Sequence, residues 1–207
     1  KVFHPRTESD VFRTKAKYGI DGDYLLYVGL WHKQKNIQCL LDAFSMFSKH
    51  QTDRAVKLVI VGSPQPQTLN LKKRIHTAGI DGLVVNTDYV PNSDLASLYT
   101  GALALVTPSL AEGFGLPALE ALSCGTIIIL AAIAVLKETF GEAGLYFDTL
   151  QPSELARLIL DVCYQRDIYL SRFHQSRLDV LRKFSWENAA RKTLKIYDDI
   201  LQDRNCL

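Results

Sequence analysis

The run from Pro108 to Leu122, Pro-Ser-Leu-Ala-Glu-Gly-Phe-Gly-Leu-Pro-Ala-Leu-Glu-Ala-Leu, constrains the fold more than any other part of the chain. It reads as a glycine loop that opens a helix: Pro117 suits a first turn, Gly125 suits a C-terminal cap, and Leu116, Leu119 and Leu122 recur at helical spacing. Glu112 and Glu120 then stand eight positions apart across the loop. Glu120 is the one charge on a helix that otherwise reads as buried. An ionised carboxylate there is costly unless paired, and a place in the first turn would let the helix dipole help. The N–H groups of Phe114, Gly115 and Leu116 at the same helix start would favour a bound phosphate, because glycines let the backbone approach a ligand closely. One element thus offers an anion cradle and two hydroxyl acceptors.

Around it, strand-like and helix-like stretches alternate, which implies an α/β fold with a parallel sheet covered on both faces. Apolar runs predict strands at 24–28, 57–61, 83–85, 103–106, 126–130 and 145–147, and helices near 67–78, 92–100 and 116–123. Asn36 is placed to cap a helix whose apolar face is Ile37, Leu40, Leu41, Phe44 and Phe47. From Pro152 onward only helices are expected, at 152–164, 167–183 and 186–202, the last capped by Ser185 with Trp186, Ala190, Leu194 and Tyr197 on one side. In open sheets of this kind ligands bind outside the carboxyl ends of the strands, where Gly29, Gly62, Val90 and the loop 108–115 all fall.

Composition excludes several classes. The net charge is +2, with both signs scattered, so no basic stripe of the kind that binds nucleic acid is present. Cys39, Cys124, Cys163 and Cys206 lie far apart with no C-x-x-C pair, and the histidines show no metal spacing, which argues against zinc and for a reducing, cytoplasmic compartment. The longest apolar run, 127–136, is ten residues, against roughly 20 for a membrane span; it reads as a buried strand entering a loop, and a peripheral contact on the cytoplasmic face of a membrane stays open. Gly113-Phe114-Gly115-Leu116-Pro117-Ala118 satisfies a dinucleotide pattern, but no acidic residue closes a following strand about 20 residues on. Asp21-Gly22-Asp23 mimics a metal-binding D-x-D, yet lies in a turn before the first strand.

These features together resemble the retaining, nucleotide-sugar-dependent glycosyltransferases of family 4, which have the two-lobed GT-B architecture. Glu112 and Glu120 fall on that family's E-x7-E motif, and Pro108-Ser109, Gly113-Phe114-Gly115-Leu116-Pro117 and Glu120-Ala121 fit its pattern. The likeness runs from about Tyr24 to Tyr197 and takes in Tyr27-Val28-Gly29, Lys35-Asn36, Val59-Ile60-Val61-Gly62, Tyr89-Val90-Pro91, Cys124-Gly125-Thr126 and Gly144-Leu145-Tyr146-Phe147-Asp148. It implies a doubly wound, Rossmann-like domain over 21–183, the C-terminal half of a GT-B fold, preceded by a segment joining two lobes at 1–20 and followed by a C-terminal helix and tail at 184–207. An acceptor-holding lobe, on the order of 150 residues, would lie before it or on a separate subunit.

The resemblance also implies roles. Lys35 would contact the diphosphate together with backbone donors at Phe114, Gly115 and Leu116, and Gly113 would also line the donor site. Glu120 would accept from ribose hydroxyls, and Glu112 from hydroxyls of the donor sugar, where it would stabilise charge at the anomeric carbon. Tyr89 and Val90 would frame the base, with Gly29 and Gly62 beside it. Lys35 and Glu112 are the catalytic candidates; no metal and no cofactor beyond the nucleotide sugar is expected. The chain departs from the pattern where an arginine is common, carrying Leu30 and Gln34, and lysine at 33 lacks arginine's bidentate fork. It departs again in the apolar stretch 127–135 and at Lys137, where the family has polar residues and a proline. The expectation is the donor half of a retaining hexosyltransferase that moves a sugar to a glycan, lipid or other acceptor. The rival is a catalytically inactive nucleotide-sugar-binding subunit, and a sugar epimerase of the same fold is a weaker alternative.

Overall fold

Alternate residues of each central strand face opposite cores, as the two-residue period of a strand requires. Leu25 and Tyr27, Leu58 and Ile60, Ala104 and Val106, and Ile127 and Ile129 enter one core, while Tyr24 and Leu26, Val59 and Val61, Leu105, and Ile128 and Leu130 enter the other. The computed structural model describes residues 2–50, 55–62 and 71–204. The strands are β1 (Asp23–Val28), β2 (Val56–Val61), β3 (Val84–Asp88), β4 (Ala104–Thr107), β5 (Ile127–Ala131) and β6 (Leu145–Phe147), in a six-stranded sheet of order β3-β2-β1-β4-β5-β6. Every pairing is parallel. Both faces being buried explains why the strands read as continuous apolar runs.

The helices are α1 (Glu8–Lys17), α2 (Ile37–Ser48), α3 (Leu71–Ala78), α4 (Asn92–Gly101), α5 (Leu116–Ser123), α6 (Ala134–Phe140), α7 (Pro152–Arg172), α8 (His174–Lys183) and α9 (Trp186–Arg204). Ile37, Leu40, Leu41, Phe44 and Phe47 of α2 meet Leu155, Leu158, Ile159 and Val162 of α7 in the first core. Leu95, Leu98 and Tyr99 of α4, Ala118, Ala121 and Leu122 of α5, and Leu136 and Phe140 of α6 fill the second. The fold is therefore the doubly wound α/β class expected. No described helix is long and apolar enough to cross a membrane.

Four local differences emerge. The apolar run 127–136 leaves its strand at Ala131 and turns into helix α6 rather than a loop. Asn36 takes a left-handed conformation (φ 48°) before α2 and makes no side-chain cap bond; Asn tolerates that region, so it turns the chain instead of capping it. The segment 1–20 contains α1, tied to α4 by Lys17 and Tyr18, which reach Asp94 Oδ2 at 2.6 and 2.9 Å. The break expected near residue 165 is a kink inside α7, at Gln165. The start of the helix expected at 67 and Cys206 lie outside the described residues.

Candidate functional site

The strand order reverses between β1 and β4, and there the sheet parts. β1 pairs with β2 as far as Val28↔Val61, but with β4 its Cα pairing covers Leu25↔Ala104 and Leu26↔Leu105 alone. The carboxyl ends of β1 and β4 thus diverge and open a crevice of the kind in which doubly wound sheets hold ligands. Gly29 and Gly62 follow the ends of β1 and β2. A Cβ on Gly62 would stand 2.1 Å from the carbonyl oxygen of Gly29, and its φ of 139° disfavours any side chain. The Gly29 amide donates to the Val61 carbonyl (3.0 Å) and the Gly62 amide to the Asp88 carbonyl (2.9 Å). Glycine here therefore lets the two strand ends approach each other closely, while their N–H groups serve the fold.

Lys35 lies in a 3-10 turn over Lys33–Lys35, started by His32, whose Nδ1 accepts the Gln34 amide at 3.3 Å. The Gln34 carbonyl accepts the Leu110 amide at 2.7 Å and so joins this turn to the loop after β4. That junction brings Lys35 Nζ to 2.6 Å from Glu112 Oε1. The same oxygen accepts from Ser109 Oγ at 2.7 Å, and Ser109 is 1% exposed. Both partners therefore sit on Oε1. The Glu112 side chain is 11% exposed and that of Lys35 31%, so the pair is largely screened from water and is stronger than a surface salt bridge. Burial, with the charge of Glu112 adding to it, pushes the phenol of Tyr27 well above its ordinary range. Trp31, which drew no attention in the sequence, is buried in the first core just before this turn, with its indole N–H lacking an acceptor among the described residues.

Between Glu112 and α5 the backbone is open. Among the described residues no acceptor takes the amides of Gly113, Phe114, Gly115 or Leu116. Gly115 has φ 93°, and a Cβ on it would lie 2.8 Å from Leu136 Cδ2 and 3.0 Å from Phe140 Cε2, so glycine is required for both conformation and space. The Phe114 ring packs edge-on against Phe184 (5.0 Å, 87°) and Phe140 (6.5 Å, 62°). The loop is thus held in place by α6 and by the residue that ends α8. Neither contact was visible in the local sequence. Leu116 is half-exposed, 53%, at the start of α5.

Glu120 falls in the second turn of α5 instead of the first, so the first-turn dipole argument does not apply to it. Its partner is Tyr99 of α4, which donates from its hydroxyl to Glu120 Oε2 at 2.9 Å. Burial raises the Glu120 pKa above its ordinary value, and the Tyr99 hydrogen bond pulls it back down. Beyond β3, Val90 is buried in the second core and Tyr89 stands 78% exposed. At the positions where an arginine is common, Leu30 is 51% exposed and Gln34 and Lys33 face solvent. A cavity of about 780 Å³ lies at the opposite end of β1, lined by Arg6, Phe12, Lys15, Asp23, Tyr164 and Arg166. Its lining includes none of the carboxylates or free amides of the carboxyl-end crevice.

The sequence matches the family described as Glycosyl transferases group 1 over residues 10–175. The chain belongs to this family. O-antigen chain mannosyltransferase B of Escherichia coli is 31% identical over 194 residues, which cover 93% of this chain and 50% of that protein. The chain therefore spans half the length of that curated relative. Sucrose-phosphate synthase from Thermosynechococcus elongatus superposes with a TM-score of 0.81 at 23% identity, over 98% of this chain and 50% of that one. HepE of Anabaena, solved in complex with UDP, superposes with a TM-score of 0.76 at 18% identity, over 98% of this chain and 54% of that one. The chain thus shares the Rossmann-like half of GT-B glycosyltransferases.

Proposed function

We propose that this group 1 glycosyltransferase domain binds the nucleotide-sugar donor of a retaining, metal-independent hexosyltransferase, with the acceptor held by an N-terminal lobe or a separate subunit. The observation that supports this most is the Lys35–Glu112 pair set beside unpartnered amides at the start of α5. A nucleoside-diphosphate sugar presents a diphosphate that gains negative charge as the anomeric bond breaks. Fixed N–H donors and a cation near that charge lower the barrier because they need not reorganise as it forms. The amides of Gly113, Phe114, Gly115 and Leu116 and the ammonium of Lys35 are those groups.

Glu112 has both hydrogen bonds on Oε1, which leaves Oε2 to accept from a hydroxyl of the donor sugar and to face developing positive charge at its anomeric carbon. Glu120, with Oε2 held by Tyr99, accepts from ribose hydroxyls. The base lies toward Tyr89 and Val90, beside Gly29 and Gly62. No side chain is assigned as a nucleophile. Cys39 and Cys124 are buried free thiols, in keeping with a cytoplasmic setting, with or without a peripheral contact at the membrane face. The inactive-subunit reading draws on Gln34, beside which Lys33, exposed and next in sequence, offers a second cation without arginine's fork.

Isothermal titration of the chain with UDP, GDP and ADP tests the binding half of the proposal. Saturable heat with one of them at millimolar concentration or below is expected, and silence with all of them would sink it. Transfer is tested by supplying the matching hexose donor and acceptor lobe: product of retained anomeric configuration, formed equally with chelator present, separates an enzyme from an inactive subunit.

A further inference from the structure

Tyr99 is buried completely, yet it carries a hydroxyl that the apolar core has no use for. Its ring is fixed edge-on by Phe3 (5.8 Å, 73°), and its carbonyl accepts from Thr126 Oγ1 at 2.5 Å, which binds the end of α4 to the start of β5. The hydroxyl has one proton to give, and it gives it to Glu120 Oε2. An ionised carboxylate only accepts, so the direction of this bond is settled. Among the described residues Glu120 Oε1 has no partner. A glutamate side chain has three rotatable bonds. One buried, immobile donor removes much of that freedom and leaves a single oriented oxygen.

We infer that Tyr99 is the positioning residue for ribose recognition: by holding one oxygen of Glu120 it aims the other at the sugar hydroxyls of the bound nucleotide, and so sets preference for ribonucleotides over deoxyribonucleotides. This rests on the assignment of Glu120 to the ribose made above, and adds to it a residue outside the E-x7-E run. Phenylalanine in place of Tyr99 keeps the ring and its contacts and deletes only the hydroxyl. The loss then falls on the orientation of Glu120.

The test is titration calorimetry on the chain with whichever of UDP, GDP and ADP binds most tightly and with its 2′,3′-dideoxy counterpart, for the wild type, Tyr99→Phe, Glu120→Gln and the double variant. The wild type prefers the ribonucleotide. Tyr99→Phe weakens the ribonucleotide about tenfold while moving the dideoxy form less than about twofold, as loss of one hydrogen bond to a charged group requires. Glu120→Gln removes the preference, and the double variant is no worse than Glu120→Gln alone, because the two changes act on one contact. A variant that merely folded poorly would weaken both nucleotides alike, which would count against the inference. So would a Tyr99→Phe chain that keeps the full preference. If the wild type binds a diphosphate without preferring ribose, the assignment of Glu120 fails first.

Discussion

The amide of Leu110 donates to the carbonyl of Gln34 at 2.7 Å, and this bond sets the distance between the turn that carries Lys35 and the loop that carries Glu112. Because it is a backbone bond, it survives substitution of either side chain. Lys35→Ala should therefore leave the loops in place and remove only the cation. Charged hydrogen bonds of this sort contribute about 1.5–3 kcal/mol, so nucleoside-diphosphate affinity should fall roughly 10- to 100-fold by calorimetry. Glu112→Gln should leave that affinity within about threefold, since Ser109 still has an oxygen to donate to, but lower transfer by about 10²-fold or more as stabilisation of the reacting centre is lost. If both variants lowered binding alike, the division of labour between the two residues would be wrong.

Gly113 and Gly115 look interchangeable in sequence and are not so in space. Gly115 combines a left-handed φ of 93° with contacts of 2.8 and 3.0 Å for an added Cβ, whereas a Cβ on Gly113 meets nothing within 4 Å. Gly115→Ala should cost about 1–3 kcal/mol of strain and overpacking. For a chain of this size that lowers the Tm by roughly 2–10 °C. Gly113→Ala should change stability by less than about 0.5 kcal/mol. Differential scanning calorimetry of the two variants decides the matter, and equal losses would mean that the loop is held differently.

Burial lifts Glu120 above its ordinary pKa of 4.5, with Tyr99 pulling the other way. The folded chain thus binds this proton more tightly than the unfolded chain does. The stability it contributes is fully present below the unfolded pKa and is lost as pH rises through the raised, folded one. Glu120→Gln removes that slope. The Tm of the variant relative to wild type should therefore climb as pH rises from below the ordinary carboxylate value of 4.5 through the raised, folded one. Ribose recognition runs in the opposite sense, because only the ionised carboxylate accepts from both hydroxyls. The affinity advantage of wild type over Glu120→Gln should shrink as pH falls through the same range, and a difference flat in pH would contradict it.

Much of this architecture was legible because a strand buried on both faces has to be apolar throughout: the runs around Leu25, Val59, Leu105 and Ile128 mark every central strand. The same uniformity hid α6. From Ile127 to Leu136 the residues are apolar without a polar beat, so period cannot tell where strand ends and helix begins. At the site, the glycine loop and its helix were readable locally, whereas the partners were not. Lys35 and Glu112 were connected only through resemblance, since nothing near either residue specifies the other. Tyr99 resembles any core aromatic until Glu120 is seen beside its hydroxyl. Ser109 and Phe184 are equally plain in sequence and acquire meaning only from the chain packed against them.

Phe184, which ends α8, meets Phe114 edge-on at 5.0 Å, so the C-terminal helices hold the loop whose amides are offered to the diphosphate. An edge-to-face pair contributes about 0.5–1.5 kcal/mol beyond the area it buries. Removing the ring frees Phe114, and with it the backbone that carries the donors. Phe184→Ala should lower the Tm modestly, speed hydrogen exchange at the amides of Gly113 to Leu116, and weaken diphosphate binding about three- to tenfold, because donors that must be ordered on binding stabilise the anion less. Lys35 and Glu112 do not touch this pair, so their 2.6 Å contact should persist in the variant. Exchange unchanged at those amides, with affinity nonetheless reduced, would show that Phe184 acts on binding by another route than the loop.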